Sequence, residues 1–137
     1  MKPQYLIDTD WAIDHLKGIR EVSQKLEEYE DRGLSVSIIS VAELYEGVYY
    51  SNNPTQNQQS LEEFLSTVQI IMIDEEIGKI FARERGRLRQ AGNLIGDLDL
   101  LIAATALYYN MTLLTNNTRH FGRITGLSIE SIPKETT

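Results

Sequence analysis

Short apolar runs rich in β-branched residues recur along the chain, and longer stretches with helical spacing separate them. Strands that alternate with helices are typical of a parallel sheet covered on both faces. In right-handed crossovers each helix begins at the carboxyl edge of the sheet, where open α/β sheets bind ligands. The pattern therefore predicts an α/β fold in which strand ends and first helical turns share one edge. The five predicted strands are residues 5–7, 35–39, 70–73, 112–115 and 128–132.

The predicted helices differ in how much of their circumference is apolar. Residues 41–49 carry apolar side chains at the spacing of an amphipathic helix. Residues 98–109 are apolar almost all round, which is typical of a helix buried on several sides. A third helix is predicted over about 75–90, ending before a glycine. The polar, proline-interrupted residues 51–60 predict a loop that leads into a helix at about 61–68.

Composition restricts the class of protein. A chain of 137 residues, 42% hydrophobic and 24% charged, has the size and composition of one ordinary globular domain. Because it contains no cysteine, a disulfide framework and a thiolate metal site are excluded. No apolar run approaches the roughly 20 residues of a membrane span, and the first apolar run reaches Asp8 too soon for a signal peptide. We therefore expect a single cytoplasmic domain over residues 1–137.

Charge is distributed unevenly along the chain. The formal net charge of −7 argues against a loose, non-specific affinity for nucleic acid. Residues 79–89 nevertheless hold one Lys, four Arg and one Glu, a local net charge of +4. This segment could be the solvated face of a long helix, or a patch that binds phosphate or a protein partner. Its arginines are Arg83, Arg85, Arg87 and Arg89.

Acidic and amide side chains concentrate at the predicted carboxyl edge of the sheet. Several carboxylates that converge there would repel one another unless a cation lies between them. Oxygen ligands suit Mg²⁺ or Mn²⁺ rather than zinc, and such an ion can polarise a phosphoryl oxygen and generate hydroxide from bound water. The edge therefore indicates metal-dependent phosphoester chemistry. The residues concerned are Asp8, Asp10, Glu43, Asp74, Asp97, Asp99, Asn116 and Asn117.

Most of these residues also have a purely structural interpretation. Asp10 and Asp74 could each cap the helix that follows. Ser40 and Glu43 have the spacing of a capping box. Asn117 could be a turn residue in left-handed backbone. These interpretations stay open, so the alternation of strands and helices does not by itself establish that the acids converge.

Four segments together resemble the PIN-domain family, and more closely its VapC-type toxins of bacterial toxin–antitoxin pairs. They are LIDTD, ISVAELYEG, GNLIGDLDLLIAATAL and LLTNNTRHF, in that order along essentially the whole chain. The resemblance implies one PIN domain, a three-layer α/β/α fold with a central parallel sheet of strand order 3-2-1-4-5. It also implies a Mg²⁺-dependent endoribonuclease, usually a homodimer, that hydrolyses RNA and is silenced by a small cognate antitoxin.

The resemblance also assigns roles to individual residues. Asp8 matches the first acid of the family, Glu43 the acid of the serine-led SVAEL motif, and Asp99 the acid before the IAA segment. Asn117 falls where the family places a fourth Asp or Asn, and Thr115 where it ends the fourth strand with Thr. Asp8 and Asp99 are thus the expected Mg²⁺ ligands, Mn²⁺ being a further candidate, and Glu43 completes the acidic pocket.

Two positions depart from the family pattern. Position 97 often carries proline, which suits the first helical turn, whereas this chain has Asp97. Since Asp can begin a helix by capping it, we expect Asp97 to cap the helix and Asp99 to bind the metal. Position 120 is often acidic, whereas this chain has His120, which weakens the case for a further acid and could alter metal occupancy.

Three other functions are alternatives to this expectation. The pair Asp8 and Asp10 mimics the paired aspartates of haloacid-dehalogenase-like phosphatases, but Ala12 and the absence of a strand-following Lys in the sequence argue against them. The chain could also be a PIN nuclease outside a toxin–antitoxin system. A non-catalytic PIN scaffold for protein binding is disfavoured because Asp8, Glu43 and Asp99 are all present. The arginine-rich segment could contact either the RNA or the antitoxin.

Overall fold

Five parallel strands form one sheet in the order β3-β2-β1-β4-β5, so the predicted order is confirmed. The structure is a computed structural model that describes residues 3–133. The central strand β1 pairs with β2 on one side, Tyr5 opposite Leu34, and with β4 on the other, Tyr5 opposite Thr112. The strands are β1 (Tyr5–Ile7), β2 (Leu34–Ser37), β3 (Gln69–Ile71), β4 (Thr112–Leu114) and β5 (Ile129–Glu130).

Helices cover both faces of this sheet, as the α/β/α prediction requires. Successive side chains of a strand point to opposite faces. Tyr5 and Ile7 therefore pack with α1–α4, while Leu6 packs with α5–α7. The helices are α1 (Thr9–Leu16), α2 (Arg20–Tyr29), α3 (Ile38–Tyr49), α4 (Pro54–Leu65), α5 (Glu75–Gln90), α6 (Asp97–Tyr109) and α7 (Thr118–Phe121), with a 3₁₀ turn at Glu30–Arg32.

The predicted loop over residues 51–60 is wrong, because α4 begins at Pro54. Asn53 is its N-cap and accepts a hydrogen bond from the Gln56 amide at 3.4 Å, and proline is favoured at the first helical position. Leu61 and Phe64 are the buried residues of α4. Its first turns are polar all round, so hydrophobic periodicity could not detect them.

The boundary between β2 and α3 also differs from the prediction. The strand ends at Ser37, whose Oγ accepts a hydrogen bond from the Ile39 amide at 3.1 Å and so caps α3. The capping box predicted from Ser40 to Glu43 is therefore wrong, since both residues lie inside the helix. Glu43 thus has no capping role in α3.

None of the helices between residues 3 and 133 combines the length with the apolar character that crossing a membrane requires.

Candidate functional site

Asp8 lies at the centre of the carboxyl edge of the sheet. It follows β1 directly, and only 4% of its surface is exposed. Its backbone N–H donates to the Leu114 carbonyl at 2.9 Å, which continues the pairing of β1 with β4. Thr115, directly after β4, donates from Oγ1 to Oδ2 of Asp8 at 2.7 Å. The ends of the two strands thus hold a buried carboxylate in one orientation.

Asp10 belongs to the same edge and does not cap α1. That helix begins at Thr9 with Asp8 at the N-cap position, so the prediction of a cap for a helix starting at Trp11 is wrong. Oδ2 of Asp10 accepts a hydrogen bond from the Asn116 backbone N–H at 2.9 Å, and Oδ1 accepts one from Trp11 N–H at 2.7 Å. Asp10 therefore joins α1 to the loop after β4.

Asp99 comes to this edge from the first turn of α6 and is partly buried. Burial raises its pKa, the positive charge of His120 lowers it, and the negative charge of Asp10 raises it. The charged groups that shift its pKa belong to α7 and α1. The structure therefore brings Asp99 and the acids after β1 to one site.

Mutual repulsion and burial disfavour ionisation of these acids. The pKa of Asp8 is raised to about 7, chiefly by burial and then by the charge of Asp10, although the hydrogen bonds from Thr115 and Thr9 lower it. Burial also raises the pKa of Asp10. The ionised form of each acid is therefore disfavoured, and a cation bound among them would stabilise it.

Glu43 is linked to the acids through Thr9. It lies in the second turn of α3, and its Oε1 accepts a hydrogen bond from Thr9 Oγ1 at 2.7 Å. The same hydroxyl lies 2.9 Å from Oγ of Ser40. Since Thr9 is adjacent to Asp8 in the chain, Glu43 is anchored beside the buried carboxylate rather than exposed on the opposite face of its helix.

Asn117 and His120 form the side of the site that follows β4. The Asn117 amide donates to Thr115 Oγ1 at 3.0 Å, and its side-chain Nδ2 lies 3.2 Å from Nδ1 of His120. The φ angle of Asn117 is −84°, so the prediction of a left-handed turn residue is wrong. Asn117 is tied to Thr115, which itself holds Asp8.

Asn116 connects the site to the C-terminal segment. Its Oδ1 accepts hydrogen bonds from Trp11 Nε1 at 3.1 Å and from the Ile132 N–H at 2.8 Å. An open cleft of about 400 Å³ lies beside these contacts. Its lining includes Asp10, Asn116, Asn117, Thr118, Ser131 and Ile132.

The cap predicted at Asp97 is wrong. The N-cap of α6 is Gly96, and Asp97 is the first helical residue. Its Oδ1 instead accepts a hydrogen bond from Nε of Arg85 in α5 at 2.8 Å. The two aspartates of GDLD therefore have different surroundings, since Asp99 is directed to the acidic site and Asp97 to α5.

The arginines of residues 79–89 do not share one surface. Arg83, Arg87 and Arg89 are exposed, and Arg87 donates to Glu84 of its own helix at 2.8 Å. Of the four, Arg85 is the one with a hydrogen bond to α6 among residues 3–133. Arg85 is therefore the member of the run that lies nearest in structure to the helix of Asp99.

The donor set fits a hard divalent cation held largely by water. Within residues 3–133, no three His, Asp or Glu side chains are gathered closely enough to hold an ion without rearrangement. Mg²⁺ commonly retains several waters and is bound through one or two carboxylates. Asp8 and Asp99 would supply such a pair, and because burial raises the pKa of both acids, a bound cation would favour their ionised forms.

One contributor to the site, Thr9, could not be identified from the sequence. Thr9 anchors Glu43, but its partner is 34 positions away, and no local pattern marks that contact. The sequence places Asp10 at this edge, two residues after Asp8, but a helix cap explains the same position. His120 occupies a position where the family often has an acid, and its positive charge lowers the pKa of Asp99.

Comparisons with known proteins agree with this fold. A family model described as "PIN domain" matches residues 5–127. The chain is 41% identical over 101 residues to Ribonuclease VapC2 of Rickettsia felis, which covers 74% of this chain and 75% of that relative. It is 36% identical over 119 residues to Ribonuclease VapC1 of Methanocaldococcus jannaschii, covering 87% and 79%.

Solved structures show the same similarity. VapBC2 from Rickettsia felis, bound to a DNA fragment from their promoter, has a TM-score of 0.89 at 34% identity, covering 94% of this chain and 98% of the compared chain. DNA-bound VapBC from Salmonella typhimurium also has a TM-score of 0.89, at 27% identity, covering 95% and 98%.

Proposed function

Because this chain belongs to the PIN domain family and, within it, to the VapC ribonucleases, we propose that it is the toxin of a VapBC-type toxin–antitoxin pair and a Mg²⁺-dependent endoribonuclease. The proposed reaction is hydrolysis of phosphodiester bonds in RNA. The observation that carries it is Asp8, which is 4% exposed and has a pKa raised to about 7 beside Asp10 and Asp99. A hydrolytic metal site supplies the cation that these carboxylates require.

Asp8 and Asp99 are the residues that would hold the ion, Mg²⁺ or Mn²⁺. When bound, the ion would polarise a phosphoryl oxygen and lower the pKa of a water molecule. Thr115 and the backbone N–H of Thr9 both donate to the Asp8 carboxylate, so its orientation is set in advance. Asp99 lies in the first turn of α6, where the positive end of the helix dipole favours its ionised form.

Glu43 is the residue that we assign to the attacking water. Its Oε1 accepts the hydrogen bond from Thr9, and Oε2 has no hydrogen-bond partner within residues 3–133. A carboxylate in that state can orient a water and accept its proton. Asn117, held by Thr115 and in contact with His120, would support a water-mediated contact on the opposite side.

Wild-type protein freed of any antitoxin is expected to cleave RNA in Mg²⁺, to stop in EDTA, and to recover when Mg²⁺ is restored. Gel electrophoresis of a labelled structured RNA would measure the cleavage, and calorimetry would measure Mg²⁺ binding. Cleavage that persists in EDTA would contradict the metal dependence. Failure to cleave together with failure to bind Mg²⁺ would instead favour a non-catalytic PIN scaffold.

Thr9→Val is expected to lower kcat about tenfold with little change in KM. The variant removes the hydrogen bond that anchors Glu43, and such a bond to a charged group contributes about 1.5 kcal/mol. Steady-state kinetics would measure the effect. Thr105→Val is the matched control, because Thr105 is a helical threonine away from the acids, and its Oγ1 donates to the Leu101 carbonyl within α6 at 2.9 Å. Equal losses in the two variants would rule out a specific role of Thr9.

The proposed partners are a small cognate antitoxin and a second copy of this chain. The similar structures from Rickettsia felis and Salmonella typhimurium are VapBC assemblies, which supports the antitoxin. Leu98 and Tyr108 of α6 are 50% and 42% exposed, apolar surface that an assembly would cover. A small DNA-binding-type reading frame directly upstream would support the toxin role, and its absence would favour a PIN nuclease outside such a pair.

A further inference from the structure

Arg85 is oriented by a residue of the helix that carries Asp99. Its Nε donates to Oδ1 of Asp97 at 2.8 Å, and its two Nη atoms have no hydrogen-bond partner in the part of the chain that the structure describes. An arginine held through Nε still presents the parallel N–H groups of Nη1 and Nη2. This fork matches the geometry of a phosphate or carboxylate.

The fork lies beside the acidic site rather than inside it. Asp97 and Asp99 occupy the same first turn of α6, but two residues correspond to a rotation of about 200° around a helix. Asp99 therefore lies on another side of α6 from Asp97. Asp97 is directed to α5, where it holds Arg85. Arg85 and the acids of the site therefore share one edge of the sheet, but the ion pair of Arg85 is with Asp97 and not with those acids.

We infer that Arg85 binds a phosphate of the RNA next to the one that is cleaved, and that Asp97 is its positioning residue. This inference rests on the proposed ribonuclease function. RNA that approaches Asp8, Asp10, Glu43 and Asp99 meets four carboxylates, whereas the Nη groups of Arg85 offer N–H donors to a phosphate beside them. RNA is favoured over an acidic protein segment because Asp97, which holds the fork, lies in the same first turn of α6 as Asp99, at the edge of the sheet that carries the acids.

The inference predicts that Arg85→Ala weakens RNA binding about tenfold at low salt, since hydrogen bonds to charged groups of this kind contribute about 1.5 kcal/mol or more. Fluorescence anisotropy with a labelled single-stranded RNA, recorded in EDTA over a range of salt concentrations, would measure binding without cleavage. The slope of log K against log salt should fall by about 0.7, the value for one phosphate contact on a single strand. In Mg²⁺, KM should rise while kcat is retained.

Variants of Asp97 test the positioning role. Asp97→Ala removes the acceptor for Nε and should weaken RNA binding several-fold, although the charge of Arg85 is unchanged. Asp97→Asn keeps an oxygen that can accept from Nε, so it should restore most of the affinity. Arg85→Lys keeps the charge but lacks the planar fork, and its affinity should lie between those of wild type and Arg85→Ala.

Arg32→Ala is the matched control, because it removes the same charge at the opposite edge of the sheet, just before β2. Indistinguishable RNA affinities and salt slopes for Arg85→Ala and Arg32→Ala would overturn the inference. Unchanged RNA binding with weakened antitoxin binding would also overturn it, and would assign Arg85 to the protein partner. If the wild type does not cleave RNA in Mg²⁺, the proposed function fails. The cleavage assay shows that outcome separately from the binding measurements in EDTA.

Discussion

Asp99→Asn is expected to reduce kcat for RNA cleavage more than about a hundredfold while the protein remains folded. The substitution removes a negative charge from one of the two carboxylates proposed to hold the ion. Loss of a group that only supports a metal ligand already costs 10–100-fold, so loss of a ligand should cost more. Steady-state cleavage in saturating Mg²⁺ would measure kcat, and calorimetry would show a weaker affinity for Mg²⁺.

Asp74→Asn is the matched control for this variant. Asp74 caps α5, as predicted, by accepting from the Ile77 amide at 3.0 Å, and Asn caps helices about as well as Asp. It should cleave like the wild type. A loss of kcat in Asp97→Asn as large as that in Asp99→Asn would contradict the separate roles that the structure gives to the two aspartates.

Asp8→Asn is expected to abolish cleavage and yet to stabilise the metal-free protein near neutral pH. Because burial raises the pKa of Asp8 from 3.8 to about 7, the folded state resists its ionisation. Stability linked to this group is fully present below pH 3.8, falls as the pH rises towards 7, and stays low above it. A shift of this size corresponds to about 4 kcal/mol, which is an upper value because Asp10 titrates with Asp8.

Urea unfolding in EDTA from about pH 4 to about pH 8 would test the linkage. The difference in unfolding free energy between Asp8→Asn and wild type should grow with pH. Mg²⁺ should stabilise the wild type but not the variant, because an ion that binds only the folded state adds its binding free energy. A difference that is independent of pH, or equal stabilisation of both proteins by Mg²⁺, would contradict a buried, cation-compensated Asp8.

Much of this architecture could be predicted because it follows from local rules. Alternation of strands and helices placed Asp8, Glu43 and Asp99 at one sheet edge before any contact was known, and the family resemblance supplied the strand order. Asp74 was predicted as a cap from its position before an amphipathic helix. These features depend on side-chain period and helix polarity, which the sequence expresses directly.

Three of the errors concern contacts between residues distant in the chain. Asp10, Glu43 and Asp97 each had a helix-cap explanation from sequence, but they contact Asn116, Thr9 and Arg85 respectively. A capping pattern uses only the nearest three or four residues and is compatible with many partners for the same side chain. Where a tertiary partner is available, the side chain turns to it and the helix begins with another residue.

The sequence by itself determined the α/β class and the sheet edge at which the acids gather. It also distinguished Asp99 from an ordinary surface residue, because the helix that Asp99 begins is apolar. Only the tertiary structure decided which acids are buried together, how strongly they resist ionisation, and which arginine lies beside them. The physical reason is that hydrophobic periodicity indicates which side of each strand or helix faces the core. Desolvation and charge coupling depend instead on distances between elements, which arise only when β1, β4, α1 and α6 pack together.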